Sequence, residues 1–255
     1  MHGSAAAQCA WDLLVNPWHL DEQIEGFPVP AGAFTLPGPA DPAASELDRL
    51  TGRCRGAADA VARADRPLVL AGDCLTAVGV VAGLQRQHRD LSVIWLDAHG
   101  DFNTPETTRS GYLGGMPLAA ACGLWDGGYG AGLDPRRVVM SDARDLDTDE
   151  RELLDRAGVR RVAPGAVADA VRGERVFLHL DLDILDPAVM AAAVPAPGGL
   201  ALEALASLLR DLGAAADVIG IEVTAFDDPA PERLAGPLAR AIAPACPVGS
   251  APDRS

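Results

Sequence analysis

The chain has 255 residues, of which 49% are hydrophobic, so it can bury the core of one large domain or of two small ones. Its formal net charge of −15, from 21 basic and 36 acidic residues, disfavours binding to nucleic acid or to an anionic membrane surface. No apolar run is long enough to span a bilayer, and the amino end shows no signal-peptide pattern. Five cysteines at scattered positions indicate reduced thiols. We therefore expect a cytoplasmic protein.

Apolar runs and helical patterns alternate along the chain. Residues 11–16 predict a buried strand, and the Pro- and Gly-rich stretch 27–42 predicts a loop or lid. Ser45 is predicted to cap a helix that continues to about residue 63. Further strands are predicted at 67–70, 91–96, 137–140, 159–163, 176–180 and 218–223, and further helices near 75–88, 116–123, from Thr148, and near 165–172, 200–212 and 230–242. This alternation predicts an α/β fold with a parallel sheet and helices on both faces.

Three of the predicted strands end in side chains that can bind a metal ion. These candidate ligands are Cys74, Asp97, His99, Asp101, Asp181 and Asp183. Within each segment the carboxylates and the imidazole stand two residues apart, so in extended backbone they share a face. Ligands of open α/β sheets bind outside the carboxyl ends of the strands. The sequence therefore predicts a metal site at that edge of the sheet.

Carboxylate oxygens dominate this candidate set. So many ligands exceed the needs of one tetrahedral zinc ion and suit two divalent ions that share bridging carboxylates, with manganese or magnesium favoured. Two such ions lower the pKa of a water between them, so that it attacks at neutral pH. Asp101 is the candidate catalytic base that takes the water's proton. The residues alone thus predict a two-metal hydrolase.

Two motifs, DAHGDFNTP from Asp97 and DLDILDP from Asp181, resemble the signatures of the arginase or ureohydrolase family. The resemblance extends over residues 70–229. It implies a three-layer α/β/α fold with a central, mostly parallel sheet, two Mn2+ ions as cofactors, and hydrolysis of a small guanidino substrate. We expect one arginase-like domain at 1–243, a flexible tail at 244–255, and a homo-oligomer, since trimers and hexamers are common in the family.

The resemblance also implies roles for individual residues. One ion would be bound by Cys74, Asp97, Asp101 and Asp181, and the other by Asp97, His99, Asp181 and Asp183. The positions that match the family's contacts to the α-amino and α-carboxylate groups of the substrate are Asn103, Thr108, Ser110, Asp147 and Glu150. Their presence implies an α-amino acid substrate rather than decarboxylated agmatine.

Three positions depart from the family pattern at the reacting end of the substrate. Cys74 stands in place of a His ligand, Gly114 in place of a proton-shuttling His, and Ala225 in place of a Glu that binds the guanidinium. The first two departures, with the segments GYLGGM and GLWDGGYGAGL, resemble the branch of the family that hydrolyses Nω-hydroxy-L-arginine to ornithine and hydroxyurea in D-cycloserine biosynthesis. We expect that substrate, in a bacterial antibiotic pathway.

Ala225 keeps two alternatives open. A buried cation without a carboxylate partner is costly, so the chain could be a catalytically impaired binding or regulatory protein. It could also hydrolyse another guanidino or amidino C–N bond, with Ala225 enlarging the pocket. Glu222 is a poor substitute, because three residues along a strand it faces the other way. Among the histidines, His179 is a candidate to contact the metal ligands from behind, whereas His19 is predicted to be an ordinary surface or core residue.

Overall fold

A computed structural model describes residues 11–38, 41, 43–130 and 132–225 of the chain. Its main feature is an eight-stranded sheet in which all strand pairs are parallel, accompanied by one two-stranded hairpin. The strands are β1 (Asp12–Asn16), β2 (Trp18–His19), β3 (Glu22–Gln23), β4 (Phe34–Thr35), β5 (Pro67–Ala71), β6 (Ser92–Asp97), β7 (Val138–Asp142), β8 (Arg160–Val162), β9 (Arg175–Asp181) and β10 (Asp217–Thr224).

Helices connect the strands of the sheet. They are α1 (Glu46–Val61), α2 (Thr76–Gln85), α3 (Pro117–Ala121), α4 (Thr148–Ala157), α5 (Val167–Ala170) and α6 (Leu202–Ala215). Short 3-10 turns lie at Leu113–Gly115, Pro135–Arg137, Pro164–Ala166 and Leu182–Ile184. Within the described ranges, no helix combines the length and the apolar character needed to cross a membrane.

The sheet is buried on both faces. Its strand order is β4-β1-β5-β10-β9-β6-β7-β8. Along β6, Trp95 packs into an apolar cluster with α1 and α2, whereas its neighbours Ile94 and Leu96 pack into a second cluster with α6. All six residues of β6 are buried, as expected for a strand covered from both sides. The predicted three-layer α/β/α arrangement is confirmed.

Most helices and strands lie where local sequence patterns predict them. The Ser45 hydroxyl accepts a hydrogen bond from the Asp48 amide at 3.2 Å and caps α1 as predicted. The stretch 27–42 was predicted to lack regular structure, yet Phe34–Thr35 pairs with β1 at the sheet edge. The hairpin β2–β3 was also missed, because two-residue strands carry no periodic pattern. The predicted helix at 230–242 and the tail lie outside the described residues.

Strand order explains where a site can form. β5, β10, β9 and β6 are consecutive neighbours in the sheet, although they are far apart in sequence. Their carboxyl ends therefore meet at one edge. The segments that follow β5, β6 and β9 carry the candidate ligands, and the order of the sheet brings those segments together.

Candidate active site

A cavity of about 360 Å³ opens at the carboxyl ends of these central strands. All six ligand candidates of the sequence line its wall, namely Cys74, Asp97, His99, Asp101, Asp181 and Asp183. All four of these carboxylates are buried, with Asp97 only 1% exposed. The structure therefore gathers several carboxylates in a confined space, where like charges repel unless protons or cations compensate them.

Two groups of side chains in this region have ligand atoms close enough to share an ion. In each group, one ligand atom per residue lies within 4.8 Å of all the others. The first group comprises Cys74, Asp97, His179 and Asp181, and the second comprises Asp97, His99 and Asp183. Asp97 belongs to both. Adjoining sites that share a carboxylate suit a pair of divalent ions.

The thiol of Cys74 contacts a carboxylate of the first group. Its Sγ donates to Asp181 Oδ2 at 3.1 Å. Burial, reinforced by the negative charges of Asp101 and Asp181, raises the pKa of this thiol well above its usual value. Without a cation the thiol stays protonated, and a bound ion would favour the thiolate.

His99 joins the two carboxylates of the second group. Its Nδ1 lies 2.9 Å from Asp183 Oδ2 and 3.5 Å from Asp97 Oδ1. Burial opposes the charged imidazole, but the hydrogen bonds to Asp183 and Asp97 outweigh it and raise the pKa of His99 to about 11. Burial and the charge of Asp183 raise the pKa of Asp97 to about 7. In the absence of an ion, protons thus compensate the clustered charge.

His179 is a fully buried member of the first group. The register of β6, β9 and β10 places Trp95, His179 and Glu222 side by side. The Trp95 and His179 rings stack with centroids 3.6 Å apart, and Glu222 Oε2 lies 2.7 Å from His179 Nδ1. The other ring nitrogen, Nε2, has no hydrogen-bond partner and lies 4.0 Å from Asp97 Oδ2.

This arrangement gives His179 a larger part than the sequence suggested. Burial lowers its pKa to about 3, so the ring is neutral and Nε2 can act as a donor to an ion. A carboxyl group on the opposite ring nitrogen fixes the orientation of such an imidazole. His179 and Asp181 stand two residues apart and so share one face of β9, and this spacing is the sequence signal that could have identified His179 as a ligand. The partner Glu222 could not be identified without knowing that β10 pairs with β9.

Asp101 lies in the cavity but outside both close groups. Its backbone φ is +50°, an uncommon conformation for a non-glycine residue. Its Oδ2 is buried without a hydrogen-bond partner. Burial, together with the charges of Asp97 and Asp181, raises its pKa well above the usual value. Such a carboxyl group is suited to holding a proton, and its assignments as ligand and base stay predictions.

Four of the five predicted substrate contacts line the cavity, namely Asn103, Ser110, Asp147 and Glu150. Thr108 is not part of the wall. Its hydroxyl accepts a hydrogen bond from the Gly111 amide at 3.1 Å and lies 3.5 Å from Ser110 Oγ, so it supports the loop that carries Ser110, and its contact with substrate stays a prediction. Glu150 is buried, and its Oε1 accepts from the Phe102 amide at 2.9 Å.

Comparison with known proteins decides the family. The model of the arginase family matches residues 22–233, which is most of the chain. The chain belongs to the arginase family. Among its relatives, the N(omega)-hydroxy-L-arginine amidinohydrolase of Streptomyces lavendulae is 42% identical over 187 residues, 71% of this chain and 68% of that protein. The arginase of Bacillus caldovelox is 40% identical over 161 residues, 55% of this chain.

Solved structures of the arginase family share the fold. The crystal structure of arginase from Bacillus cereus superimposes with a TM-score of 0.69 at 29% identity, over 79% of this chain and 78% of that one. The matched segment spans only 54% of the Bacillus caldovelox arginase, about half its length. The fold thus agrees with membership of the arginase family.

The cavity of this arginase-family protein contains residues that the sequence did not single out. His19 and Tyr112 line its wall. His19 belongs to neither metal-capable group, but no sequence pattern predicted its place at the cavity. The physical reason is the hairpin β2–β3, which carries His19 to the cavity and has no sequence signature. Ala225 also lines the wall, with a φ of +62°, whereas Glu222 does not.

Proposed function

We propose that this chain hydrolyses the guanidino group of an arginine-like α-amino acid with the help of two Mn2+ ions, and that Nω-hydroxy-L-arginine is the substrate. The products would be L-ornithine and hydroxyurea. The observation that carries the proposal is the pair of metal-capable groups joined by Asp97 in a single cavity. The Streptomyces lavendulae relative, named for the same substrate, supports its choice.

The residues present fit two divalent ions. The first group offers a thiol, an imidazole and two carboxylates, and the second offers an imidazole and two carboxylates. The buried Nε2 of His179 lacks a protein partner, as a nitrogen that faces an ion would. Carboxylates make up three of the six different side chains and favour manganese, while the thiol shifts the first group toward a softer ion. When bound, the ions would polarise the guanidino carbon and lower the pKa of a water molecule.

The chain's own residues would bind the substrate and move protons. Asp147 and Glu150 place negative charge on the wall for the α-ammonium group, and the Asn103 amide can donate to the α-carboxylate. Asp101 Oδ2 would accept a proton from the attacking water and pass it to the amine of ornithine as the C–N bond breaks. One water is consumed, and the N-hydroxyl group leaves with hydroxyurea.

A second function is favoured by a specific observation. Ala225 lines the cavity at the position where the family pattern has a carboxylate for the guanidinium, and Glu222 is engaged with His179 below the cavity. A chain that lost this carboxylate could bind guanidino ligands without turning them over. We regard this binding or regulatory role as the alternative, followed by hydrolysis of another guanidino or amidino bond.

A product assay separates these functions. Purified protein reconstituted with Mn2+ is incubated with Nω-hydroxy-L-arginine, L-arginine, agmatine and a wider guanidino panel, and products are measured by mass spectrometry. We expect equal amounts of ornithine and hydroxyurea from the first compound and no product from agmatine. The Asp183→Asn variant should lose this activity, whereas Asp211→Asn, on the exposed face of α6, should keep it. Tight binding without any product would support the binding role instead.

A further inference from the structure

The hairpin β2–β3 forms one side of the cavity although it lies outside the main sheet. It is attached to the segment that leads into Cys74. The Leu20 amide donates to Asp73 Oδ2 at 2.5 Å, and Leu20 itself adopts a φ of +47°. His19, the residue before Leu20, is thereby fixed on the Cys74 side of the cavity.

Close packing reinforces this attachment. A Cβ atom at Gly72 would lie 2.5 Å from the Trp18 carbonyl oxygen, so only glycine allows the hairpin to approach so closely. The buried Arg53 donates to the same Trp18 carbonyl at 3.3 Å and lies 3.6 Å from Asp73 Oδ2. The hairpin is therefore held as part of the cavity wall, against the segment that carries Cys74.

Tyr112 extends from the opposite loop to meet His19. Its hydroxyl lies 3.0 Å from His19 Nε2, and the two rings stack with centroids 6.2 Å apart. The Tyr112 ring also covers Gly114, since a Cβ atom at Gly114 would lie 2.3 Å from the ring and 2.5 Å from the hydroxyl oxygen. The phenol thus occupies the volume that a side chain at position 114 would need.

The chemistry of this pair differs from that of a site for a bare guanidinium. The described end of β10 contributes Thr224 and Ala225 to the same cavity wall, and neither carries a charge. A phenol hydroxyl and an imidazole nitrogen can each donate or accept a hydrogen bond. A hydroxyl on the guanidino nitrogen also donates and accepts, whereas an unsubstituted guanidinium only donates. The pair is therefore complementary to an N-hydroxyguanidine.

We propose that Tyr112 and His19 form a specificity-determining pair that binds the N-hydroxyl of the substrate's guanidino group. The inference rests on the proposed function and names the residues that select the hydroxylated substrate. Sites that hydrogen-bond a substrate hydroxyl discriminate against the analogue that lacks it. Because Tyr112 is 41% exposed, its effect should fall well below that of a fully buried contact.

The test replaces the hydroxyl and keeps the ring. Tyr112→Phe leaves the cover over Gly114 in place. We expect kcat/KM for Nω-hydroxy-L-arginine to fall about tenfold, equivalent to about 1.4 kcal/mol, while the inhibition constant of L-arginine changes less than about twofold. His19→Ala should act in the same direction, and the double variant should lose little more than either single one, as for groups in contact.

Tyr129→Phe is the matched control, because it removes the same hydroxyl from a residue that contacts Arg86 at the surface. Its kinetics should equal those of the wild type. An unchanged kcat/KM in Tyr112→Phe, or an equal loss for both ligands, would overturn the role of the pair.

The design also separates this inference from the proposed function. If the wild-type protein hydrolyses neither compound, the proposed function fails, and calorimetric titration of the Mn2+-loaded protein tests the pair without turnover. Weaker binding of Nω-hydroxy-L-arginine to Tyr112→Phe, by about tenfold with L-arginine unchanged, would support the pair. Equal affinities in wild type and variant would overturn it.

Discussion

Cys74 is the residue on which the first ligand group depends. Its thiol is the donor that differs most from the oxygen ligands around it, and burial raises its pKa, so an ion must displace a proton to bind there. Replacement by Ser leaves a neutral hydroxyl, a far weaker ligand. We expect Cys74→Ser to retain about half of the wild-type manganese after gel filtration. Elemental mass spectrometry measures this directly.

Cys122→Ser is the matched control for this prediction. Cys122 is a partly buried thiol that packs against the apolar core and does not line the cavity. Its replacement should leave the metal content unchanged. A Cys74→Ser variant with full metal content would show that His179 and the carboxylates suffice for the first ion, and the role given to the thiol would then be wrong.

At the scale of elements, the position of Cys74 depends on how α2 packs against α1. α2 begins just after Cys74, and two glycines on α2 allow the helices to touch. A Cβ atom at Gly79 would lie 2.4 Å from the Cys54 carbonyl oxygen, and one at Gly83 would lie 2.7 Å from that of Ala58. Since backbone atoms cannot be displaced cheaply, a larger residue here must push the helices apart.

We therefore expect Gly79→Ala to lower the free energy of unfolding by about 1–3 kcal/mol, as overpacked cores do. Urea unfolding followed by circular dichroism measures it. Gly52→Ala, on the exposed side of α1 with no atom within 4 Å of the added Cβ, is the control. It should stabilise the protein slightly, because alanine has the higher helix propensity. Equal effects of the two substitutions would contradict the packing argument.

Backbone strain also gathers where the elements reach the cavity. Leu20, Asp101 and Ala225 all adopt positive φ angles, and each lies on or beside the cavity wall. Such conformations cost free energy and persist where the surrounding structure enforces them. Two of these residues, Asp101 and Ala225, follow the ends of β6 and β10, where the chain reaches the cavity.

For the whole molecule, the clustered carboxyl groups make stability depend on pH. Burial raises the pKa of Asp97 to about 7 and raises that of Asp101 and Asp181 as well. Unfolded Asp titrates near about 4, so above that pH the folded state binds more protons than the unfolded state. His179, whose pKa is lowered to about 3, acts with the opposite sign below its unfolded value, but the three carboxyl groups outnumber it. The free energy of unfolding of the metal-free protein therefore falls as pH rises from about 4 to about 7. The pKa of His99 is raised to about 11, so above its unfolded pKa of about 6.5 His99 also binds more protons in the folded state than in the unfolded state. It therefore lowers the free energy of unfolding further as pH rises.

Mn2+ should restore the stability that is lost as pH rises, because bound ions compensate the carboxylate charges in place of the protons. We expect the melting temperature in EDTA to fall from about pH 5 to about pH 8, and the increase caused by Mn2+ to grow over the same range. Differential scanning fluorimetry measures both. Asp97→Asn, which removes the carboxyl shared by both groups, should show a smaller dependence of the melting temperature on pH. A melting temperature in EDTA that rises with pH would contradict the account.

The sequence predicted what local patterns can specify. The strands of the core are apolar runs, the cap at Ser45 is a local hydrogen bond, and the spacing of Asp97 and His99 indicated two members of one metal-capable group. Features that depend on distant contacts were missed. Glu222 reaches His179 only because β10 inserts beside β9.

His19 shows the same limit. It reaches the cavity because Gly72 allows a two-residue hairpin to dock. The packing of Tyr112 over Gly114 was equally hidden, since a glycine in the sequence does not show what fills the space above it.

The central claim is that two ions bind side by side through Asp97. The most direct measurement is the manganese content of the reconstituted wild-type protein by elemental mass spectrometry. The account predicts about two ions per chain, with Asp97→Asn losing both, because that residue belongs to both groups. One ion or none in the wild-type protein would contradict it.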